Sequence, residues 1–402
     1  MIFKIAWKNL WRNKVRSFVV ITAIGLGLWA GIFGSAFVTG MMKSKVDNVV
    51  KNETSHFQIH QPKFTDEYNG KLLIENSSSV IDQLSNDQDI KYTSERVIAM
   101  GMMASSRKQG SLKVVGVDPE DEQQITEMDT KIIEGSFFEK KRKNPIVISK
   151  ETAEDYKIKI NSKVTVTFQD IDGEITSGAF RVVGIYNTSN NMYDRMNAIV
   201  QIKDLRKLYN ISTGAHEIAV WLNDHEMAQT KADEYKTQLS DLDVKSWLEI
   251  QPEMSYMIEM MDLYLYIIVG IILFALLFSI VNTMLMAVLE RVRELGMLMA
   301  IGMTKGRVFL MIMTETILMS LIGVPLGVLI SEIFIGYFGT NGINLSGAQY
   351  EDFGFSSIIY PYLDPARYLE VTIMVFVMAL IAAIYPARKA LKLNPVTAIR
   401  KI

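Results

Sequence analysis

Four long apolar stretches are the dominant pattern along the chain. The first covers 17–42 and has no charged residue in 26 positions, and the second, 263–289, is also uncharged. The third covers 308–338 and the fourth 367–386. Because about 20 apolar residues cross a hydrocarbon core of roughly 30 Å, the pattern predicts four transmembrane helices. The first stretch exceeds the apolar core of a signal peptide, so we expect it to remain as an anchor.

Residues 43–262 carry a different pattern, in which short β-rich runs alternate with turn signals and amphipathic segments. The pattern predicts a mixed α/β domain and leaves the order of its strands open. The predicted strands cover 56–60, 111–117, 144–149, 163–168, 179–186, 197–202 and 217–222, and the predicted helices cover 78–86, 150–157, 203–209 and 226–240.

Lys and Arg are concentrated at one side of the predicted spans. Five basic residues lie in 1–16, four lie in the turn 290–307 and five lie in 387–402, whereas the loop 339–366 has none. Because such residues mark the cytoplasmic side, we predict a cytoplasmic N-terminal segment, inner turn and tail, with 43–262 and the loop outside. The totals of 42 basic and 44 acidic residues give no indication of a nucleic-acid partner.

The residues suggest no catalytic or metal site. The chain has no Cys, and among its four His only His56 and His60 have a spacing that could bind a metal on a helix. Their run favours a strand, and because the sequence offers neither an H-E-x-x-H motif nor a nearby carboxylate cluster, we expect these two histidines to be surface residues rather than zinc ligands. Asp170–Gly173 resembles part of a calcium loop but lacks the twelfth-position Glu, which favours a hairpin turn. The phosphate-binding pattern G-x-x-x-x-G-K-[ST] is missing, so this chain is predicted not to hydrolyse ATP by such a loop.

A long helix is predicted to leave the membrane on the outer side. Nothing except Gly270 disfavours a helix over 253–289, and 37 residues at 1.5 Å each span about 55 Å, roughly 25 Å more than the hydrocarbon core. The predicted domain 43–262 therefore includes stalk helices. Methionine and tyrosine residues cluster at this level: Met41, Met42, Met257, Met260, Met261 and Tyr264. Two interpretations stay open, namely ordinary helix packing and a deformable apolar cavity for acyl chains.

The inner turn contains charged residues followed by an apolar run. Its composition is compatible with a loop that only fixes the topology. The glycines at 296 and 302 favour a short helix that bends sharply back toward the bilayer.

Three motifs carry a resemblance to a known family. ERVRELGMLMAIGMTKGRV (290–308), YPARKALKLNPVTAIR (385–400) and AWKNLWRNKVRSF (6–18) are similar to motifs of the FtsX/MacB superfamily of ABC transporter permeases. Within it, SLKVVGVDPEDEQQITEM (111–128), IIEGSFF (132–138) and FRVVGIYNTSNNMYDRMNAIVQIKDLRKLY (180–209) are most similar to the LolC/LolE lipoprotein-releasing permeases.

The resemblance implies an α-helical integral membrane protein with four transmembrane helices and a large MacB-like periplasmic core domain. It implies that the turn is a coupling helix on a cytoplasmic ABC ATPase dimer, which would bind ATP and Mg, whereas this chain would bind no cofactor. The implied coupling residues are Glu290, Arg291, Arg293, Glu294, Leu295, Gly296, Leu298, Ile301, Gly302 and Met303.

The resemblance further implies a bacterial inner-membrane permease that extracts lipoproteins from the outer leaflet by mechanotransmission. Its partners would be membrane lipids, a lipoprotein and a second permease, identical or paralogous, with a periplasmic carrier as a further candidate. Two alternatives stay open: a MacB-like exporter of periplasmic peptides or toxins, and an FtsX-like signalling scaffold. The large outer domain counts against the scaffold.

Overall fold

The structure is a computed structural model that describes residues 2–12, 14–138, 142–345 and 350–391. The chain divides into two compact units. The helical unit comprises Met1–Met41, Met260–Ile343 and Ile359–Ile402, and the α/β unit comprises Met42–Glu259 and Asn344–Ile358. The predicted tail 387–402 and the motif 385–400 lie outside the described residues beyond position 391.

The helices and strands have the following bounds. The α-helices are α1 (Ile2–Arg12), α2 (Lys14–Val49), α3 (Phe64–Glu67), α4 (Ser77–Leu84), α5 (Pro119–Thr126), α6 (Lys150–Tyr156), α7 (Asn191–Met196), α8 (Ile202–Leu208), α9 (Ala228–Gln238), α10 (Trp247–Ile250), α11 (Pro252–Glu290), α12 (Val292–Ala300), α13 (Lys305–Asn341) and α14 (Pro365–Leu391). The strands are β1 (Phe57–His60), β2 (Ile90–Ala104), β3 (Gln109–Val117), β4 (Ile132–Gly135), β5 (Pro145–Ser149), β6 (Lys163–Gln169), β7 (Ile175–Tyr186), β8 (Asn197–Gln201), β9 (Glu217–Leu222), β10 (Asp243–Ser246), β11 (Ile343–Asn344) and β12 (Ile358–Ile359).

Within the described ranges, four helices are long and apolar enough to cross a membrane: α2, α11, α13 and α14. Each contains one of the four apolar stretches of the sequence. The predicted uninterrupted helix over 253–289 is confirmed, because α11 runs for 39 residues without a break. At 1.5 Å per residue its length is about 58 Å.

Close backbone contact joins α2 and α13 in the helical unit. A side chain at Gly327 would place its Cβ 2.7 Å from the Gly25 carbonyl oxygen, and one at Gly323 would lie 2.9 Å from that of Ile21. Such small residues allow membrane helices to pack by van der Waals contact where hydrophobic burial gives little driving force. The core between the helices is completed by branched side chains such as Ile24, which is fully buried.

The α/β unit is built on one large mixed sheet. Among the described residues, the strands follow the order β10-β1-β9-β2-β3-β8-β5-β7-β4, and β6 pairs with both β2 and β7. The β3–β8 and β5–β7 pairs are parallel. The neighbouring β2–β3 and β6–β7 pairs are antiparallel. The predicted mixed α/β architecture is therefore confirmed, with the strand order added.

The predicted strands and helices of this unit are all present, and the predicted hairpin turn is confirmed. Between β6 and β7, the Asp170 side chain accepts hydrogen bonds from the backbone N–H groups of Asp172 and Glu174 at 3.0 and 2.9 Å. Gly173 has φ +88°, a left-handed conformation that glycine adopts readily. Among the described residues, the sequence did not predict β2, β4 and β10, nor the two-residue strands β11 and β12.

Candidate functional site

The inner turn folds as a short helix that reverses toward α13. The helix α12 ends in a Schellman motif, in which Met303 N–H donates to the Leu298 carbonyl at 3.0 Å and Gly302 N–H to the Met299 carbonyl at 3.1 Å. Gly302 has φ +105°, which favours glycine over other residues. The predicted short helix followed by a bend is therefore present, and its backbone carbonyls are satisfied.

Burial divides the predicted coupling residues into two sets. Leu295 is only 2% exposed and Gly296 is buried, so neither residue is available to contact another protein. Arg293 is exposed and Ile301 is 85% exposed, and both lie on the face opposite Leu295. Met297 belongs to this exposed face and was missing from the predicted set, although its spacing of four from Arg293 signals it.

An ion pair anchors the start of α12 to α13. Arg291 Nη1 donates to both carboxylate oxygens of Glu315 at 3.1 Å. The Asn9 side chain on α1 donates a further hydrogen bond of 2.7 Å to the same carboxylate. Both members of the ion pair have only about a tenth of their side-chain surface exposed. The carboxylate therefore connects three helices at one point.

Two further ion pairs tie the N-terminal helices to the turn. Arg12 pairs with Glu294, and Arg16 pairs with Glu290. Burial alone would raise the pKa of Glu294, but hydrogen bonds from Arg12 and Arg291 hold that pKa below its usual value. Of the predicted coupling residues, Glu290, Arg291 and Glu294 are thus paired within the chain and fix the position of α12.

An apolar cleft lies beside the exposed face of α12. It has a volume of about 640 Å³ and is lined by Phe3, Ile5, Leu298, Ile301, Gly302, Met303 and Arg307. The helix α1 also exposes Trp7 and Trp11, whereas its Ala6 and Leu10 are buried in the bundle. Such an amphipathic helix with exposed aromatic and basic residues is typical of a membrane interface.

A second polar cluster lies at the other end of the helical unit and joins α11 to α14. Arg367 donates to Glu370 at 2.8 Å and to the Tyr266 hydroxyl at 3.2 Å, and it also pairs with Asp262. Tyr266 in turn donates to Glu370 at 2.5 Å. The two ends of the helix bundle are therefore each pinned by charged side chains.

The predicted lipid-cavity residues are divided between the two units. Met41, Met260, Met261 and Tyr264 belong to the helical unit, and Met42 and Met257 belong to the α/β unit. Of the six, Met257 lines a pocket in the α/β unit, and the other residues of that pocket were not predicted from the sequence. Met42 is buried, and Tyr264 is exposed.

The surface position predicted for His56 and His60 is wrong, because both side chains are buried. His56, His60 and His216 are buried, and the ring of each has a hydrogen-bond partner in the neighbouring backbone or in a side chain. For example, Leu222 N–H donates to His56 Nδ1 at 2.8 Å and Ile98 N–H to His216 Nδ1 at 3.0 Å. Burial lowers the pKa of both rings to about 4, so they are neutral acceptors. No group of side chains that could hold a metal ion occurs in the part of the chain the structure describes.

A buried charge cluster stabilises the middle of the α/β unit. Arg96 donates to Glu122 at 2.8 and 3.0 Å and to Glu217 at 2.7 Å, and all three side chains are buried. Burial alone would raise the pKa of Glu217, but the Arg96 charge lowers it below its usual value. Because every charge of this cluster is paired, we interpret it as part of the structural core of the α/β unit.

Four helices that are long and apolar enough to cross a membrane, together with an α/β unit inserted in the sequence between the first two of them, define the class as a membrane protein with a large folded domain. The family model of the MacB-like periplasmic core domain matches residues 17–237, and that of the FtsX-like permease C-terminal matches 266–395. The chain belongs to the FtsX/MacB superfamily of ABC transporter permeases, as the motifs predicted.

Several named relatives are similar over long stretches. The lipoprotein-releasing system transmembrane protein LolC of Neisseria meningitidis serogroup B is 22% identical over 97% of this chain and 95% of its own length. The macrolide export ATP-binding/permease protein MacB of Bdellovibrio bacteriovorus is 23% identical over 98% of this chain and 60% of that protein. An uncharacterized ABC transporter permease of Methanocaldococcus jannaschii is 24% identical over 67% of this chain and 65% of that protein.

Proposed function

We propose that this chain is the permease subunit of a lipoprotein-releasing ABC transporter in a bacterial inner membrane. ATP hydrolysis by a separate ATPase would drive extraction of lipoproteins from the outer leaflet. The observation that carries the proposal is the match to a lipoprotein-releasing LolC over nearly the full length of both proteins. Membership of a family of ABC transporter permeases supports ATP hydrolysis by a cytoplasmic ATPase that works with this chain.

The basic residues support an orientation in which α1 and α12 face the cytoplasm and the α/β unit faces the periplasm. In this orientation the exposed face formed by Arg293, Met297 and Ile301 would contact the ATPase dimer. Movement of the ATPases would displace α12, and the ion pair between Arg291 and Glu315 would carry the displacement into the spanning helices. A ligand-driven change of this kind requires that the two states differ in their contacts at both ends.

The continuous helix α11 supports transmission of that displacement along one stiff element. The complex would contain two permeases, identical or paralogous, and two ATPases. The lipoprotein would leave the bilayer for a periplasmic carrier when the outer domains close.

The test is release of a lipoprotein from proteoliposomes that contain the permease complex purified with its own ATPase. On addition of ATP and Mg, we expect the lipoprotein to enter the soluble fraction in the presence of a lipoprotein carrier, and its presence should stimulate ATP hydrolysis. A matched sample with a catalytically inactive ATPase controls for passive loss. Absence of ATP-dependent release from the active complex would refute the proposal.

A second candidate function is export of periplasmic peptides or toxins, which the similarity to MacB supports. This function requires an outer-membrane channel rather than a lipoprotein carrier. Purification of the complex in mild detergent, followed by mass spectrometry of proteins and lipids, separates the two. A co-purified channel without lipoprotein favours export.

A further inference from the structure

The α/β unit contains a pocket of about 260 Å³ that the proposed function does not use. Its wall is formed by five methionines together with aromatic, amide and charged side chains. The lining residues are Lys45, Val49, Glu53, Tyr68, Met100, Lys113, Asn190, Met192, Tyr193, Met196, Asn197, Gln251, Glu253, Met254, Met257, Phe353 and Gly354. The volume lies just below the usual range for small-molecule sites, about 300–1,000 Å³, which suits one chain of a ligand rather than a whole lipid.

The apolar part of the pocket is unusual because much of it is exposed. Met192, Met196 and Phe353 are all exposed large side chains, and Met100 beside them is exposed as well. Clustered apolar surface of this kind is uncommon on a folded domain unless it binds something. Methionine is flexible and polarisable, so it adapts to a chain without a fixed shape.

The polar part of the pocket offers a positive charge. Lys113 on β3 makes no ion pair within the described part of the chain, and its ammonium group lies 5.3 Å from the centre of the Tyr68 ring. Lys45, in contrast, is engaged: its ammonium group donates to the Phe353 carbonyl at 3.2 Å and lies over the Phe355 ring. The half-buried Glu53 carboxylate accepts from Gln251 at 3.3 Å. The Lys113 charge opposes the rise that burial causes in the pKa of Glu53. Since no hydrogen bond or close ion pair holds its ammonium group in the part of the chain that the structure describes, Lys113 is the cation of this pocket that can turn to a ligand.

One wall of the pocket comes from the segment between α13 and α14. Asp352 accepts hydrogen bonds from Asn191 at 2.9 Å and from Arg195 at 3.4 Å, which holds this segment against α7. Gly354 has φ +76° and places its backbone beside the Asn190 side chain. Residues distant in sequence thus converge to enclose the site.

We infer that this pocket binds one acyl chain of an amphiphile with an anionic head group. The chain lies among the methionines of α7 and α11, and a carboxylate or phosphate group lies at Lys113. A free fatty acid and an anionic phospholipid share this chemistry. The inference goes beyond the proposed function, because it gives the α/β unit a lipid ligand whether or not the transporter releases lipoproteins.

The test uses the full chain in nanodiscs of phosphatidylcholine and a palmitate analogue that carries a diazirine on its chain. After irradiation and proteolysis, mass spectrometry should find adducts on peptides that contain 190–197 or 353–354. Met196 is 55% exposed and lines the pocket, whereas Met102 is 47% exposed and does not line it. We expect M196E to lower the labelling about tenfold and the matched control M102E to leave it unchanged.

A second variant tests the head group. K113Q should weaken the binding of the palmitate probe about fivefold but leave binding of its uncharged methyl ester unchanged. Only the acid carries a negative charge that the Lys113 ammonium group can attract. A diazirine phosphatidylglycerol tests the phospholipid source: preferential labelling by it over palmitate assigns the site to membrane lipid. Labelling outside the pocket, equal loss of acid and ester binding in K113Q, or cross-links between two copies of the chain at these residues would overturn the inference.

Discussion

The carboxylate of Glu315 offers the sharpest test of how the inner turn is held. Replacement by alanine removes two hydrogen bonds from Arg291 and one from Asn9, and leaves the poorly solvated guanidinium group with Glu294 at 3.4 Å as its remaining partner. Hydrogen bonds between membrane helices average about 0.6 kcal/mol each, which gives a lower bound of about 2 kcal/mol for three. Loss of one partner of a buried ion pair costs about 3–5 kcal/mol.

We therefore expect E315A to destabilise the helical unit by about 2–4 kcal/mol, because the ion pair is slightly open to solvent. Replacing both charges, in the double variant R291M/E315L, should restore most of the stability. Replacement of a buried pair by apolar groups of similar volume is often nearly neutral. The assay is reversible unfolding of the single and double variants in detergent, read as a double-mutant cycle.

The same cycle separates stability from coupling. The double variant should fold well and yet lose lipoprotein-stimulated ATP hydrolysis, because α12 is no longer tied to α13 by charge. A coupling energy between Arg291 and Glu315 below about 0.5 kcal/mol would refute the role assigned to this pair, since independent sites add within that range.

Three further predictions concern packing, buried charge and pH. In the helical unit, G327A should lower the thermal unfolding midpoint in detergent, whereas G270A should not, because a Cβ at Gly327 meets the α2 backbone and one at Gly270 meets nothing within 4 Å. In the α/β unit, R96M should lower the free energy of unfolding in denaturant by at least about 3 kcal/mol, because it leaves two buried carboxylates unpaired. The control K108M removes an exposed ion pair and should lower the same free energy by less than about 1 kcal/mol. Burial raises the pKa of Asp194 to about 7, so between pH 4 and 7 the native state keeps a proton that the unfolded chain has lost. The free energy of unfolding should therefore fall as the pH rises from about 4 to 7. D194N should abolish that fall, which a series of unfolding midpoints measured across this pH range would show.

Local patterns were sufficient to predict the spans and most strands because those elements bury continuous or alternating apolar faces. The strand β2 was missed, since its first half carries charges and its second half has three methionines and a glycine. Pairing with its hairpin partner β3 and with β6 and β9 makes it a strand, and the β6 and β9 pairings involve residues far apart in sequence.

Burial was the property that the sequence could not provide. The run 56–60 predicts a strand correctly, but only the contacts of His60 with Gln58 and the His216 backbone show that its rings point inward. In the same way, the helix 292–300 was predictable, whereas the choice of Leu295 as its buried residue depends on how the other helices of the bundle pack around it. The methionine pocket could not be predicted either, because its walls range from residue 45 to residue 354.

The first four charged residues of the inner turn, Glu290, Arg291, Arg293 and Glu294, have two separate roles. Three of them are paired inside the chain, whereas Arg293 forms no ion pair within the described ranges and lies on the exposed face. R293D should therefore leave the unfolding midpoint within about 0.5 kcal/mol of the wild type, as expected for a surface substitution. If this face meets the ATPase, the same change should abolish lipoprotein-stimulated ATP hydrolysis, and R293K should retain much of it. Normal stimulation in R293D would place the ATPase contact elsewhere, while a loss of stability would mean that Arg293 has an internal partner and that its effect on coupling is indirect.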